Sequence, residues 1–144
     1  MNKMQFHIEI NVPKEKVWDT LWRDETFREW AGLIDPGTYL VGELKEGNEV
    51  QFISANGYGV TSLVAKLIEG EYLLFQHQAD TQDSGERERE KEWTGGEESY
   101  SLSEKDGVTT LTVVFDIPPE QEEYFAANYP KALARLKALA ERSE

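Results

Sequence analysis

Polar and apolar residues alternate from the start of the chain. In "MQFHIEINV", Met4, Phe6, Ile8 and Ile10 fall on one face, and Gln5, His7, Glu9 and Asn11 on the other. A period of two predicts a half-buried strand, with His7 on its exposed face. The period then changes. Pro13 suits the first turn of a helix, and "KEKVWDTLW" sets Val17, Trp18, Leu21 and Trp22 at helical spacing. "ETFREWAG" predicts a second short helix, capped by Asp24 and ended by Gly32, with Phe27 and Trp30 three apart on its inner side.

Strand patterns follow. "IDPGT" is a turn, then come "TYLVGEL", a turn at "KEGN", and "EVQFIS". Asn56-Gly57 in "ANGYG" signals a hairpin loop. "VTSLVAKLI" and "YLLFQHQ" are two further strands joined by "EGE", and "ESYSLSE", "KDG" and "VTTLTVVFDI" form a last hairpin with Leu111, Val113, Phe115 and Ile117 on one face. The polar segment 79–98, "ADTQDSGEREREKEWTGGEE", predicts an exposed loop or frayed hairpin extension.

The end of the chain returns to a helical period. Pro118-Pro119 stops the strand, and Phe125, Tyr129, Ala132, Leu133, Leu136, Leu139 and Ala140 recur at steps of three and four. Pro130 interrupts this stripe and predicts a kink near Ala126 or a split around Asn128. The order is therefore strand, two short helices, six antiparallel strands and a long helix. That is an α+β pattern without a repeat or a dividing linker, read as one domain over 1–144.

Composition narrows the classes of function. The 144 residues suit one domain with a core of its own. With no cysteine, disulfides, thiol catalysis and thiolate metal sites are excluded. A formal charge of −13 argues against nucleic acid and anionic membrane surfaces as partners. The N-terminal stretch lacks an apolar signal segment, and no apolar run reaches membrane-spanning length, so the cytoplasm is the default expectation.

Order and local motifs together resemble the helix-grip (START-like, SRPBCC) superfamily, which includes lipid-transfer proteins, the birch-pollen allergen and aromatic polyketide cyclases. Within it the chain is most similar to the branch named for the activator of the heat-shock chaperone ATPase (AHSA-type). The resemblance rests on Pro13, Val17 and Trp18 in the first helix and Trp30 ending the second. It continues in the turn Leu44-Lys45-Glu46-Gly47-Asn48, in Leu73, Phe75 and His77 along one strand, and in Asn128-Tyr129 with Leu133 and Leu136 in the last helix. The sequence departs from the branch pattern at Asn48 and Asn128, where glycine is usual, and at His77 and Tyr129, where tryptophan is usual. Segment 80–98 is also longer than the usual loop. The resemblance implies a curved antiparallel sheet of six to seven strands around the C-terminal helix, with a cavity between them.

On that expectation, strand phase turns Phe52, Leu73, Phe75, His77, Tyr100, Leu102, Val113 and Phe115 inward, facing Phe125, Tyr129 and Leu133. These residues either line a ligand cavity or fill a solid core. Trp18 and Trp30 read as core or near-core, with Trp22 or Trp30 as the alternative rim of a cavity mouth. An inward His77 needs a hydrogen-bond partner. It is a core histidine, a group orienting a ligand, or an acid–base residue.

Other chemistries lack their residues. The two histidines form no ligand-spaced pair. The calcium-loop-like stretch starting at Asp80, with Gly85 sixth, carries Lys91 where a bidentate glutamate is required. Gly42 and Gly47 do not make a phosphate loop, since Asn48 stands in place of the lysine and a strand follows. No cofactor or metal is expected. The leading functional expectation is a non-catalytic domain, monomer or homodimer, holding a small hydrophobic or amphipathic molecule. The alternatives are a chaperone or other protein partner, and a cyclase- or hydrolase-type enzyme using His77.

Overall fold

The computed structural model describes residues 1–142. Strand β1 (Asn2–Ile10) leads through Pro13 into helices α1 (Lys14–Trp22) and α2 (Asp24–Ala31). Five strands follow: β2 (Tyr39–Val41), β3 (Glu49–Ile53), β4 (Gly59–Ile68), β5 (Tyr72–Gln82) and the short β6 (Arg87–Glu88). The hairpin β7 (Glu97–Lys105) and β8 (Val108–Ile117), a 3₁₀ turn at Pro119–Gln121, and helix α3 (Glu122–Glu141) complete the chain. All pairings are antiparallel, in the order β1-β8-β7-β5-β4-β3-β2, and β6 pairs with the end of β5.

Register carries the alternation of single strands across the sheet. Met4, Phe6 and Ile8 of β1 lie opposite Phe115, Val113 and Leu111 of β8, which in turn lie opposite Glu98, Tyr100 and Leu102 of β7. The inner face so formed is covered by α3, whose Tyr129, Ala132, Leu133, Leu136, Leu139 and Ala140 are buried. This is the helix-grip fold.

Three local expectations are corrected. Asp24 is the first helical residue of α2 rather than its cap; Arg23 holds the cap position, and the Asp24 carboxylate accepts from Arg28 Nε at 2.9 Å. The helix α3 runs through Pro130 without splitting at Asn128. Tyr129 and Leu133, on either side of Pro130, are both buried, and this packing outweighs a helix defect of roughly 3 kcal/mol. Segment 79–98 is not simply an exposed loop, because it holds strand structure, the buried Asp80 and Thr81, and a Trp93 packed on the core.

The two ends of the helix–sheet layer differ. At one end the C-terminal half of α3 meets β1 and α1, where Lys137 Nζ donates to Glu9 O and Lys16 Nζ to Arg142 O, both at 2.9 Å. At the other end the start of α3 faces α2 and the β3–β4 hairpin across a cavity, while Phe125 and Tyr129 keep their rings 5.7 and 5.0 Å from Phe115 of β8. The hairpin turns at Gly57, whose φ of +86° favours glycine. It also needs Gly59, where a Cβ would lie 2.4 Å from Phe52 O.

Candidate functional site

At this second end lies a cavity of about 580 Å³. Its walls come from α2 (Phe27, Trp30, Ala31), the loop Ile34–Thr38, the β3–β4 hairpin (Phe52 to Val60), segment 89–93, the 3₁₀ turn (Gln121) and the first turns of α3 (Tyr124, Phe125, Tyr129). The floor is His77 of β5 with Glu98 and Tyr100 of β7. Tyr58 and Tyr124 flank it and are 47% and 44% exposed, which places the mouth between the hairpin and the start of α3. Tyr124 Oη donates to Ile34 O at 2.7 Å and ties α3 to the loop after α2.

Of the residues that strand phase turned inward, Phe52, His77, Tyr100, Phe125 and Tyr129 face this cavity. Leu73, Phe75, Leu102, Val113, Phe115 and Leu133 do not line it. They are buried in the solid core, where α1 and the rest of α3 press directly on the sheet. The tryptophans divide as well. Trp30 forms part of the wall while being 1% exposed, and its Nε1 donates to Leu21 O at 3.1 Å. Trp22 is partly buried and does not line the cavity; its ring lies 4.8 Å from Tyr100, 5.7 Å from Phe75 and 6.1 Å from Phe27 between centroids.

The floor is a polar row inside an aromatic shell. Ser62 lies opposite His77 across the β4–β5 pair, and its Oγ is 2.7 Å from His77 Nδ1. His77 Nε2 is 3.7 Å from Glu98 Oε1, and the Tyr100 hydroxyl donates to Glu98 Oε2. Ser, His and Glu in a row resemble a nucleophilic triad in composition only. Ser62 is fully enclosed and off the cavity lining, so it orients the ring and offers no nucleophile to a ligand.

Burial raises the Tyr100 and Tyr129 hydroxyls well above the ordinary tyrosine value, and the nearby Glu98 charge raises both further. Both are therefore neutral hydroxyls at the floor. The raised values also predict an alkaline limb in stability. Below pH 10 both states hold these protons; above it the unfolded chain releases them and the folded chain does not. Stability should fall by about 1.4 kcal/mol per pH unit for each tyrosine. Denaturant titrations between pH 9 and 11, with Tyr129→Phe removing one tyrosine's share of the slope, measure it.

Sequence reasoning missed four contributors. Glu98 was legible, being two residues before Tyr100 and in phase with it. Ser62 was legible as the same-face neighbour of Val64. Asp80 and Trp93 were not. The β4–β5 register skips Gln78, a bulge that turns Asp80 inward against the strand's earlier phase. The Asp80 carboxylate then accepts from the backbone N–H groups of Glu92, Trp93 and Thr94 and from Thr94 Oγ1, at 2.6 to 3.1 Å. This holds Trp93 over the cavity, its ring 5.5 Å from Phe125 and 6.4 Å from His77.

The family model described as "Activator of Hsp90 ATPase homolog 1-like protein" matches residues 11–141. The chain belongs to this family. Among solved structures, the Aha1 dimer from Colwellia psychrerythraea superposes with a TM-score of 0.73 at 21% identity, over 98% of this chain and 97% of that one. Protein CV1439 from Chromobacterium violaceum gives 0.72 at 20% identity, over 99% and 100%. DynU16, described as a putative protein of the dynemicin biosynthetic locus, gives 0.70 at 15% identity, over 98% of this chain and 48% of that one. At these identities the likeness speaks for the fold. No curated protein matches the sequence. Among the described residues no helix is long and apolar enough to cross a membrane.

Proposed function

We propose that this chain is a binding domain that holds one small amphipathic molecule between α2, the start of α3 and the sheet. The observation that carries this reading is the cavity itself. Its volume of about 580 Å³ falls in the range of small-molecule sites, and mainly aromatic walls with a few convergent polar groups are the usual composition of such sites. The apolar body would lie against Trp30, Phe125 and Trp93, and its polar end would meet His77, Glu98 and Tyr129. Binding is favoured over nucleophilic catalysis with His77 as base, because the hydroxyl that His77 meets, Ser62, is off the cavity lining.

N-phenyl-1-naphthylamine, a neutral probe whose fluorescence rises in apolar surroundings, should bind saturably at one site per chain. Ala31 is 7% exposed on the cavity wall, so Ala31→Trp should fill the space and weaken binding at least tenfold while circular dichroism stays unchanged. Absence of saturable binding, or undiminished binding by the folded variant, would overturn the reading. Native mass spectrometry of the purified protein adds any co-purified molecule and the subunit count, for which a monomer or homodimer is the expectation.

Family membership also supports a second reading, a chaperone regulator. The charge of −13 suits docking on a basic patch of a chaperone ATPase. Failure to retain such a chaperone on the immobilised protein at low salt would discard it.

A further inference from the structure

We infer that the occupant of this cavity carries a protonated amine on an aromatic body, and that Glu98 receives that amine. The inference rests on the binding reading above and names its ligand class. It starts from the charged side chains that line the cavity, which are Asp35, Arg89, Glu92 and Glu98.

Arg89, the one guanidinium in this set, is already engaged. Its Nε donates to Thr81 O at 2.7 Å, Nη2 lies 3.5 Å from Asp80 Oδ2, and Nη1 lies 3.9 Å from Glu92 Oε1. Asp80 is 1% exposed and stands outside the lining, so it cancels the guanidinium charge from behind. The guanidinium also stacks over Tyr58, 4.7 Å from the ring centroid. An anionic ligand would have to displace these partners to reach it.

Glu98 is placed differently. Its side chain is 21% exposed, at the cavity floor. One oxygen accepts from Tyr100, and the other is 3.7 Å from His77 Nε2, beyond hydrogen-bond reach, so it keeps room for a donor. A carboxylate ligand would bring a like charge against it. An ammonium would complete it with a charge-assisted bond. The lining acts in the same direction, because it is aromatic at Trp30, Trp93, Phe125 and Tyr129, and aromatic side chains attract cations. The overall charge of −13 favours approach of cations at low salt.

The test compares three ligands with one apolar body, 1-naphthylmethylamine, 1-naphthalenemethanol and 1-naphthoate, by calorimetry at pH 7.5 and 150 mM salt. The amine should bind about tenfold tighter than the alcohol, the difference between a charge-assisted and a neutral hydrogen bond, and the carboxylate should be weakest. Glu98→Gln keeps an acceptor for Tyr100 and should bring the amine-to-carboxylate ratio close to one. Glu43→Gln removes the same charge from an exposed surface site and should leave the ratio as in the wild type.

Equal binding of amine and alcohol would mean that His77 already satisfies Glu98, and would overturn the inference while leaving the binding reading intact. So would tighter binding of the carboxylate, or a ratio that survives Glu98→Gln. If none of the three binds and N-phenyl-1-naphthylamine also fails, the binding reading falls and this one with it.

Discussion

Asp80→Asn is expected to lower the unfolding free energy by about 3–5 kcal/mol, the usual effect of removing one partner from a buried ion pair. Asp80 is 1% exposed, and its two oxygens gather three backbone N–H groups, the Thr94 hydroxyl and the guanidinium of Arg89. Asparagine keeps the shape, but its amide nitrogen cannot accept. It would face N–H donors and leave Arg89 without its buried counter-charge. Burial raises the Asp80 carboxyl, but the bonds from Thr94 and from the Glu92, Trp93 and Thr94 backbone outweigh it, so the net shift is downward from 3.8. A depressed folded value means that this stabilisation is complete above about pH 4 and is lost as pH falls through the depressed value. Urea titrations from pH 2.5 to 7 should therefore show a shallower acid limb in Asp80→Asn than in the wild type. A loss under 1 kcal/mol at pH 7, or an unchanged acid limb, would contradict the role assigned to this carboxylate.

Trp30→Ala should have a comparable effect, about 3–5 kcal/mol, the range for truncating a buried tryptophan. Trp30 is the largest of the fully enclosed side chains. Its ring stands edge-on to Phe27 at 5.5 Å, and its indole N–H closes onto Leu21 O, joining α2 to the end of α1. Truncation removes that tie and extends the existing cavity into the core. Trp30→Phe should recover most of the packing and lose the hydrogen bond, leaving a deficit of roughly 1–2 kcal/mol. Equal losses for the two variants would mean that the indole N–H, and not the ring's volume, is what α2 depends on. Trp18, half-buried, should tolerate alanine better than Trp30 does.

The same residues show how far the sequence could be read. The alternation in β1 and β8 and the helical stripe of α3 placed the core correctly, because burial on one face of a regular element imposes its period on the chain. The changes of period carried the order of elements, and the resemblance carried the helix-grip fold. The candidate site was only partly legible. Phase alone could turn Phe75 and His77 to the same side, but it could not say that Phe75 would be packed solid while His77 faced open space. That difference depends on where α2 and the first turns of α3 stand relative to the sheet, which is a property of several elements together.

Segment 79–98 illustrates the limit most directly. Its charges suggested an exposed loop, yet a bulge at Gln78 turns Asp80 inward, and one carboxylate then organises the turn that carries Trp93 onto the cavity. Local pattern encodes which face of a strand or helix is apolar, and so determined the fold class, the elements and most of the core. Tertiary structure decided the rest: a register shift re-aims side chains, and a cavity exists only where neighbouring elements fail to close on one another. Neither has a period that a linear sequence displays.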